Sequence, residues 1–227
     1  MSEKEFFKGK TVVITGASSG IGRALAYEFA ANGANVVIGA RHDTKLAGIA
    51  GDLTNRGAAV AWCAADVTRE EDCRRLVETA VARFGGIDIL VCNAGISMRA
   101  LFDNVQLDVL RRLMDVNFWG TVYCTKYALP YLQAARGTVV GVSSVAGLGR
   151  TGYSASKYAM TGFLDTVRIE NRRKGVHVMV ACPGFTATNV RFSALTADGT
   201  EQGATPRKEE KMMTAEEVAH RIAKGIM

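Results

Sequence analysis

The sequence predicts an α/β fold: a doubly wound parallel sheet in three layers, carried as a single domain over residues 1–227. Two observations predict it. Short runs of β-branched and apolar residues recur along the chain, apolar on both faces as buried parallel strands are. Between them lie stretches with helical periodicity, and regular strand–helix alternation builds right-handed crossovers onto one sheet. The chain length suits one such domain.

TVVIT (11–15) reads as strand one, and IGRALAYEFAANG (21–33) as a helix ending on Gly33. NVVIG (35–39) is strand two, after which Asp43, ahead of Thr44 and Lys45, reads as the N-cap of the next helix. AAVAWCA (58–64) is strand three. TREEDCRRLVETAVARFG (68–85) is a helix that opens with a capping box, Thr68 and Glu71, and ends on Gly85. DILVCN (88–93), TVVGVSS (138–144) and VHVMVAC (176–182) are strands four to six. A second capping box, Thr214 and Glu217, starts the last helix. The polar segment from about 193 to 213, with Gly199, Gly203 and Pro206, reads as a mobile loop or lid.

Composition excludes several classes. Apolar residues make up 48% of the chain, sufficient for a sizeable core, yet no run reaches the ~18 residues of a membrane span. The start, MSEKEFFKGK, is charged and lacks an apolar signal core, so a cytoplasmic location is expected. The five cysteines are scattered and form no CxxC pair; Cys63, Cys73, Cys92, Cys124 and Cys182 read as buried reduced thiols. The net charge of +6 is interleaved with acids, its densest patch being Arg168, Arg172, Arg173 and Lys174. It reads as solvated surface that helps draw in an anionic cofactor, with no nucleic-acid partner. His42, His177 and His220 are dispersed, and no acid–histidine arrangement suggests a triad or a metal site.

TGASSGIG spans Thr15 to Gly22, directly after strand one and opening the first helix. Glycine lets the backbone turn tightly and approach a phosphate. The helix behind it offers free N–H groups and the positive end of its dipole to an anion. At this place in the alternation, Gly16, Ser18, Ser19, Gly20, Ile21 and Gly22 read as the pyrophosphate cradle of a dinucleotide. In such folds an acid ending strand two selects NAD by binding the ribose hydroxyls. Here the strand runs out through Gly39, Ala40 and Arg41, and Arg41 suits a 2′-phosphate, so NADP(H) is preferred over NAD(H). Asp66, with Val67 just past strand three, is placed to accept from the adenine amino group; it also reads as a plain turn acid.

Tyr153 and Lys157 stand one helical turn apart in TGYSASKYAM and share a face. A phenol of pKa ~10 is a poor base at neutral pH. A unit charge ~4 Å away is worth ~4 kcal/mol at an effective dielectric of about 20. At ~1.36 kcal/mol per pKa unit, Lys157 is expected to lower the phenol by up to ~3 units, toward the range useful for acid–base catalysis. Spacing alone does not separate this pair from a packed aromatic beside a surface cation.

TGASSGIG, CNAG (92–95), Asn117 in DVNFWG, VSSVAG (142–147), YSASK (153–157) and PGFTAT (183–188) follow one another along the chain. In this order and spacing, over roughly residues 8–190, they resemble the short-chain dehydrogenase/reductase family. The resemblance implies a Rossmann-type fold and an oxidoreductase that moves hydride between NAD(P)(H) and a carbonyl/secondary-alcohol pair. It makes Tyr153 the general acid or base, and Lys157 the group that lowers its pKa and binds the nicotinamide ribose. Ser144 would hydrogen-bond the substrate oxygen, and Asn117 would hold a water in a proton relay by bending its helix. Asn93, Ala94 and Gly95 would pass the cofactor at the end of strand four. Pro183 and Gly184 would line the nicotinamide, with Thr188 near its amide or the phosphates. Taken singly, Asn117 also reads as a helix-interior asparagine with a local backbone bond, Thr188 as an N-cap, and Ser143 and Ser144 as strand-end hydroxyls.

Relatives pair through the helices that follow strands four and five. A homodimer or homotetramer is therefore expected, with contacts over about 103–133 and 153–174, and Phe102, Phe118, Trp119 and Tyr123 read as core or interface. The substrate pocket falls on 96–103, 145–152 and 185–213. Met98, Leu101, Phe185, Phe192 and Leu195 suggest a small or medium carbonyl or alcohol with an apolar body.

The chain departs from the family pattern in one place. Ser144 precedes Tyr153 by nine residues, where the family usually has about thirteen. A true deletion within VAGLGRTG (145–152) would pull the two out of register and favour a catalytically silent dinucleotide-binding regulator; a stretch missing from the sequence would leave the site intact. The chain stops within a helical pattern, TAEEVAHRIAKGIM, where many members of the family continue to a seventh strand and a tail.

Overall fold

A computed structural model of the chain describes residues 1–145, 150–204 and 212–227. In order, the elements are α1 (Glu3–Phe7), β1 (Thr11–Thr15), α2 (Gly20–Ala31), β2 (Asn35–Ala40), α3 (Asp43–Asn55), β3 (Val60–Ala64) and α4 (Glu70–Phe84). They continue with β4 (Ile89–Cys92), α5 (Leu107–Met114), α6 (Gly120–Ala135), β5 (Thr138–Val142), α7 (Thr151–Asn171), β6 (His177–Ala181) and α8 (Ala215–Ile226). The six strands form one sheet in the order β3-β2-β1-β4-β5-β6, every pairing parallel.

Alternation along each strand sends successive side chains to opposite faces, so a β-branched run buries both. Val12, Ile14, Val36, Ile38 and Val91 pack with α1, α2, α3 and α8. Val13, Val37, Leu90 and Val139 pack with α4, α6 and α7 on the other face. This is the three-layer, doubly wound, Rossmann-type arrangement expected. The two outer strands depart from full burial because each has a neighbour on one side only: Trp62 on β3 is 41% exposed and His177 on β6 is exposed. Strand order reverses between β1 and β4, which opens a crevice at their C-terminal ends, where ligands bind in open α/β sheets.

Local signals fared unevenly. Thr214 and Glu217 form their capping box, with bonds of 3.0 and 2.8 Å. The box expected at Thr68 and Glu71 is absent, because Asp66 captures both the Thr68 amide (3.0 Å) and hydroxyl (2.9 Å). Helix α4 therefore starts after Arg69, and it ends at Gly85 as expected. Asp43 is the first residue of α3 rather than its cap, its carboxylate accepting from the Thr44 amide at 2.6 Å. A capping box of Ser2 and Glu5 builds the unpredicted α1.

Four cysteines are buried, but Cys182 is exposed, because β6 ends at Ala181 and the chain turns outward. An acid–histidine arrangement does exist: His220 Nδ1 lies 3.2 Å from Glu28 and 3.8 Å from Glu3, which tie α8 to α2 and α1. Met98 and Leu195, expected in the substrate pocket, bridge one another and are buried with Val109 and Leu113 in a third core cluster. Part of the expected lid, residues 205–211, and part of the short stretch before Tyr153, residues 146–149, lie outside the described residues. No described helix is long and apolar enough to cross a membrane.

Candidate active site

A cavity of about 940 Å³ fills the crevice above β1 and β4. Its lining gathers Gly16, Ser18, Ser19, Gly20, Ile21, Arg41, Asp66, Val67, Asn93, Ala94, Gly95, Ser144, Tyr153, Lys157, Pro183, Gly184 and Thr188. Of the expected site residues only Gly22 and Asn117 stand behind the wall rather than in it.

The glycine loop is fixed from below. The Thr15 hydroxyl accepts from the Asn93 and Ala94 amides, each at 3.0 Å. The Asn93 side chain donates to the carbonyls of Thr15 (2.9 Å) and Gly16 (3.2 Å). Gly16 sits at φ +66°, and a Cβ there would meet Ala94 Cα at 2.8 Å, so the turn is open only to glycine. The Ser19 side chain makes no capping bond, so the first-turn amides of α2 are left for another acceptor. Thr188 closes over Gly20, its methyl 3.2 Å from where a Cβ would stand. The cradle is thus kept empty by geometry and positive by the helix end, and it fits a dinucleotide pyrophosphate.

Gly22 serves packing instead of contact. A Cβ there would lie 2.4 Å from both the Gly16 carbonyl and Asn93 Nδ2. Gly22→Ala is therefore expected to push α2 off the loop, costing about 1–3 kcal/mol in urea denaturation and weakening nucleotide binding by calorimetry.

At the adenosine end, Arg41 is exposed and has no partner among the described residues, with His42 and Lys45 beside it in the lining. Asp66 faces them, held through its amide by Asp72 at 2.9 Å.

At the opposite end, Ser144 and Tyr153 share the cavity lining, with the Ser144 hydroxyl near enough to the phenol to act on its titration. Lys157 is 4% exposed; its ammonium donates to the Val142 carbonyl at 2.7 Å and lies 5.9 Å from the Tyr153 ring centroid. Gly95 makes room here, since a Cβ would stand 3.2 Å from the Lys157 ammonium. Burial pushes the Tyr153 phenol up, while the Ser144 bond and the Arg150 charge pull it partly down. Burial lowers Lys157 to about 8. The expectation that Lys157 brings the phenol toward neutrality is thus not met by the protein's own groups. The ammonium is anchored to a carbonyl, and desolvation of the phenolate is the larger effect.

Asn117 lies in a single π turn, Asp115–Trp119, that joins α5 to α6 and shifts the Gly120 amide onto the Asp115 carbonyl. Its side chain accepts from the Ile96 amide (2.9 Å) and donates to the Ile96 carbonyl (3.0 Å) and Ser156 Oγ (2.9 Å). Ser156 in turn donates to the Tyr153 carbonyl at 2.8 Å. Asn117 therefore clamps the loop after β4 to the turn of α7 that carries Tyr153.

A sequence profile of the family described as "short chain dehydrogenase" matches residues 10–198. The chain belongs to the short-chain dehydrogenase/reductase family. The family comprises NAD(P)-dependent oxidoreductases. The chain is 42% identical over 184 residues to the Arabidopsis thaliana protein named 11-beta-hydroxysteroid dehydrogenase 1A, covering 78% of this chain and 52% of that protein. It spans about half the length of the curated relatives it matches. Among solved structures it resembles an alcohol dehydrogenase of the archaeon Thermococcus sibiricus, complexed with 5-hydroxy-NADP. The TM-score is 0.84 at 26% identity, over 95% of this chain and 89% of that one. It shares its fold with a short-chain dehydrogenase/reductase of Burkholderia phymatum in complex with NAD, with TM-score 0.87 at 24% identity over 100% and 87% of the two chains.

The family motifs left some lining residues unread: His42 and Lys45 at the adenosine end, and Arg99, Arg112, Arg150 and Arg191 at the other. These basic residues come from five separate segments, so no local run announces them. For Arg99 a signal was available: next to Met98 and Ala100, it falls on the opposite face of an extended stretch.

Proposed function

We propose that the chain is an NADP(H)-dependent oxidoreductase that interconverts a carbonyl and a secondary alcohol, with Tyr153 as the proton donor and acceptor. The observation that carries this reading is the meeting of Ser144, Tyr153 and Lys157 on the wall of the cavity that begins at the glycine loop. The nicotinamide, when bound, supplies or accepts the hydride. The glycine loop and the start of α2 hold the pyrophosphate; Pro183, Gly184 and Thr188 border the nicotinamide half. Ser144 hydrogen-bonds the substrate oxygen beside the phenol, and Lys157 reaches the ribose hydroxyls. A phenol pushed up by burial holds its proton at neutral pH, the form that donates to a carbonyl oxygen when the reaction runs as a reduction. Asn117 acts as a positioning residue for Tyr153.

The preference for NADP(H) rests on Arg41, supported by Lys45. Arg41→Ala is expected to raise KM for NADPH about tenfold, the value of one charge-assisted bond to a phosphate, and to leave KM for NADH within about threefold. Equal losses for both would show that Arg41 does not meet a 2′-phosphate. The reading as a whole is tested by NADPH oxidation across a panel of ketones. Nucleotide binding without turnover on any of them would favour a silent regulator.

A homodimer or homotetramer is part of the proposal. Tyr158 (74% exposed) and Ile169 (76%) on α7, and Trp119 stacked on Tyr123 at 5.7 Å, present the apolar surface on which such an assembly would form.

A further inference from the structure

The substrate end of the cavity is cationic. The stretch 96–100 runs extended between two partners: Met98 bridges Leu195, and Ala100 bridges Arg150. Met98 is buried in the third core cluster, so alternation turns Arg99 the other way, exposed and into the cavity lining. Helix α5 arrives at the same place. It buries Val109 and Leu113 and presents Arg112, one turn ahead of Asp115 and Val116, to the lining, with Arg112 donating to the Gly199 carbonyl at 3.5 Å. Arg150 adds a third charge, held by the Ser97 hydroxyl at 2.8 Å and close enough to Tyr153 to act on its phenol. Arg191 contributes a fourth. Among the described residues the acids in this part of the lining are Asp115 and Glu201, and neither forms an ion pair with Arg99 or Arg112.

We propose that this chain's substrate carries an oxyanion, a carboxylate or a phosphate, at the end away from its reacting carbonyl, and that Arg99 and Arg112 bind it. This rests on the oxidoreductase reading above for which end of the cavity receives the substrate. Two guanidinium groups brought to one cavity lining from different elements supply the donors that the planar oxygens of such a group accept from. A neutral apolar body, of the kind the hydroxysteroid dehydrogenase names of its relatives point to, would cover the same charges without pairing them.

The test is a matched set of ketones with NADPH: 4-acetylbenzoate, its methyl ester, and 4-acetylphenyl phosphate. The expected result is a kcat/KM for the benzoate about tenfold or more above that of the ester, carried by KM and shrinking as salt rises. The ratio should collapse toward one in Arg99→Gln/Arg112→Gln and survive in Arg99→Lys/Arg112→Lys. A faster phosphate than benzoate assigns a phosphate; the reverse assigns a carboxylate. An ester that equals the acid, or a ratio that persists in the double glutamine variant, overturns the proposal. If no ketone turns over, the oxidoreductase reading fails, and calorimetric titration of 4-acetylbenzoate into the NADP⁺-loaded protein decides the rest. Binding weakened about tenfold by the glutamine pair upholds the anion site, and binding that is absent or unchanged rejects it.

Discussion

Tyr153→Phe is expected to lower kcat/KM by about 10²- to 10⁴-fold, the range that a positioned general acid contributes. Nucleotide binding should persist, because the phenyl ring keeps its packing against the third core cluster and only the hydroxyl is lost. The Ser144 hydroxyl would remain in the lining, able to hydrogen-bond a carbonyl oxygen. The loss should therefore fall on kcat, with KM for the nucleotide moving little, as for an interaction made in the transition state. The pH profile should change as well. With the phenol pushed up by burial, the wild-type reduction rate is expected to hold through neutral pH and fall only in the alkaline range, and the residual rate of the variant should lack that alkaline limb. A variant retaining activity within about tenfold of wild type would remove Tyr153 from the proton's path.

The elements that were legible in the sequence are those whose signal is local. A buried parallel strand is apolar on both faces whatever it packs against, so TVVIT and TVVGV could be read without knowing their neighbours. A glycine loop is legible because the backbone itself needs the absence of a Cβ, as the 2.8 Å approach to Ala94 shows at Gly16. Capping boxes sit at the limit of this. Thr214 and Glu217 had no competitor, whereas Thr68 had Asp66 two residues before it. What was not legible depends on groups distant in sequence. The Lys157 ammonium was expected to act on Tyr153 because the two are four residues apart, but its hydrogen bond goes to Val142, fifteen residues away, on a strand that only the fold brings near. Likewise Arg99 and Arg150 come to one cavity lining only because 96–100 is threaded between the segments carrying Leu195 and Arg150. Met98 and Leu195, from which an apolar pocket was read, are two residues that the fold spends on its core.

Lys157→Met is expected to reduce activity and to abolish a pH dependence of stability, and the two effects have one origin. Lys157 is buried at 4% exposure, and burial lowers it from an ordinary 10.5 to about 8. Below about pH 8, folded and unfolded chains both hold the proton, and the folded state bears the full cost of a desolvated ammonium. From about 8 to about 10.5 the unfolded chain binds more protons than the folded one, so the stability of the wild type rises with pH relative to the variant. The gain between about pH 7 and about pH 9.5 is on the order of 2 kcal/mol, readable as the difference between the two proteins' urea midpoints at each pH without added nucleotide. Measurement stays below about pH 10 because Tyr153, whose pKa is raised, begins to subtract stability once the unfolded phenol ionises. The cationic form that costs stability at neutral pH is the form able to bind ribose hydroxyls. Lys157→Met should thus raise KM for the nucleotide at about pH 7 while losing less stability there than the lost Val142 bond alone would imply. Stability profiles that run parallel across the whole interval would show that the ammonium is hydrated in the folded chain, and the acid–base account of this site would then need a different cation.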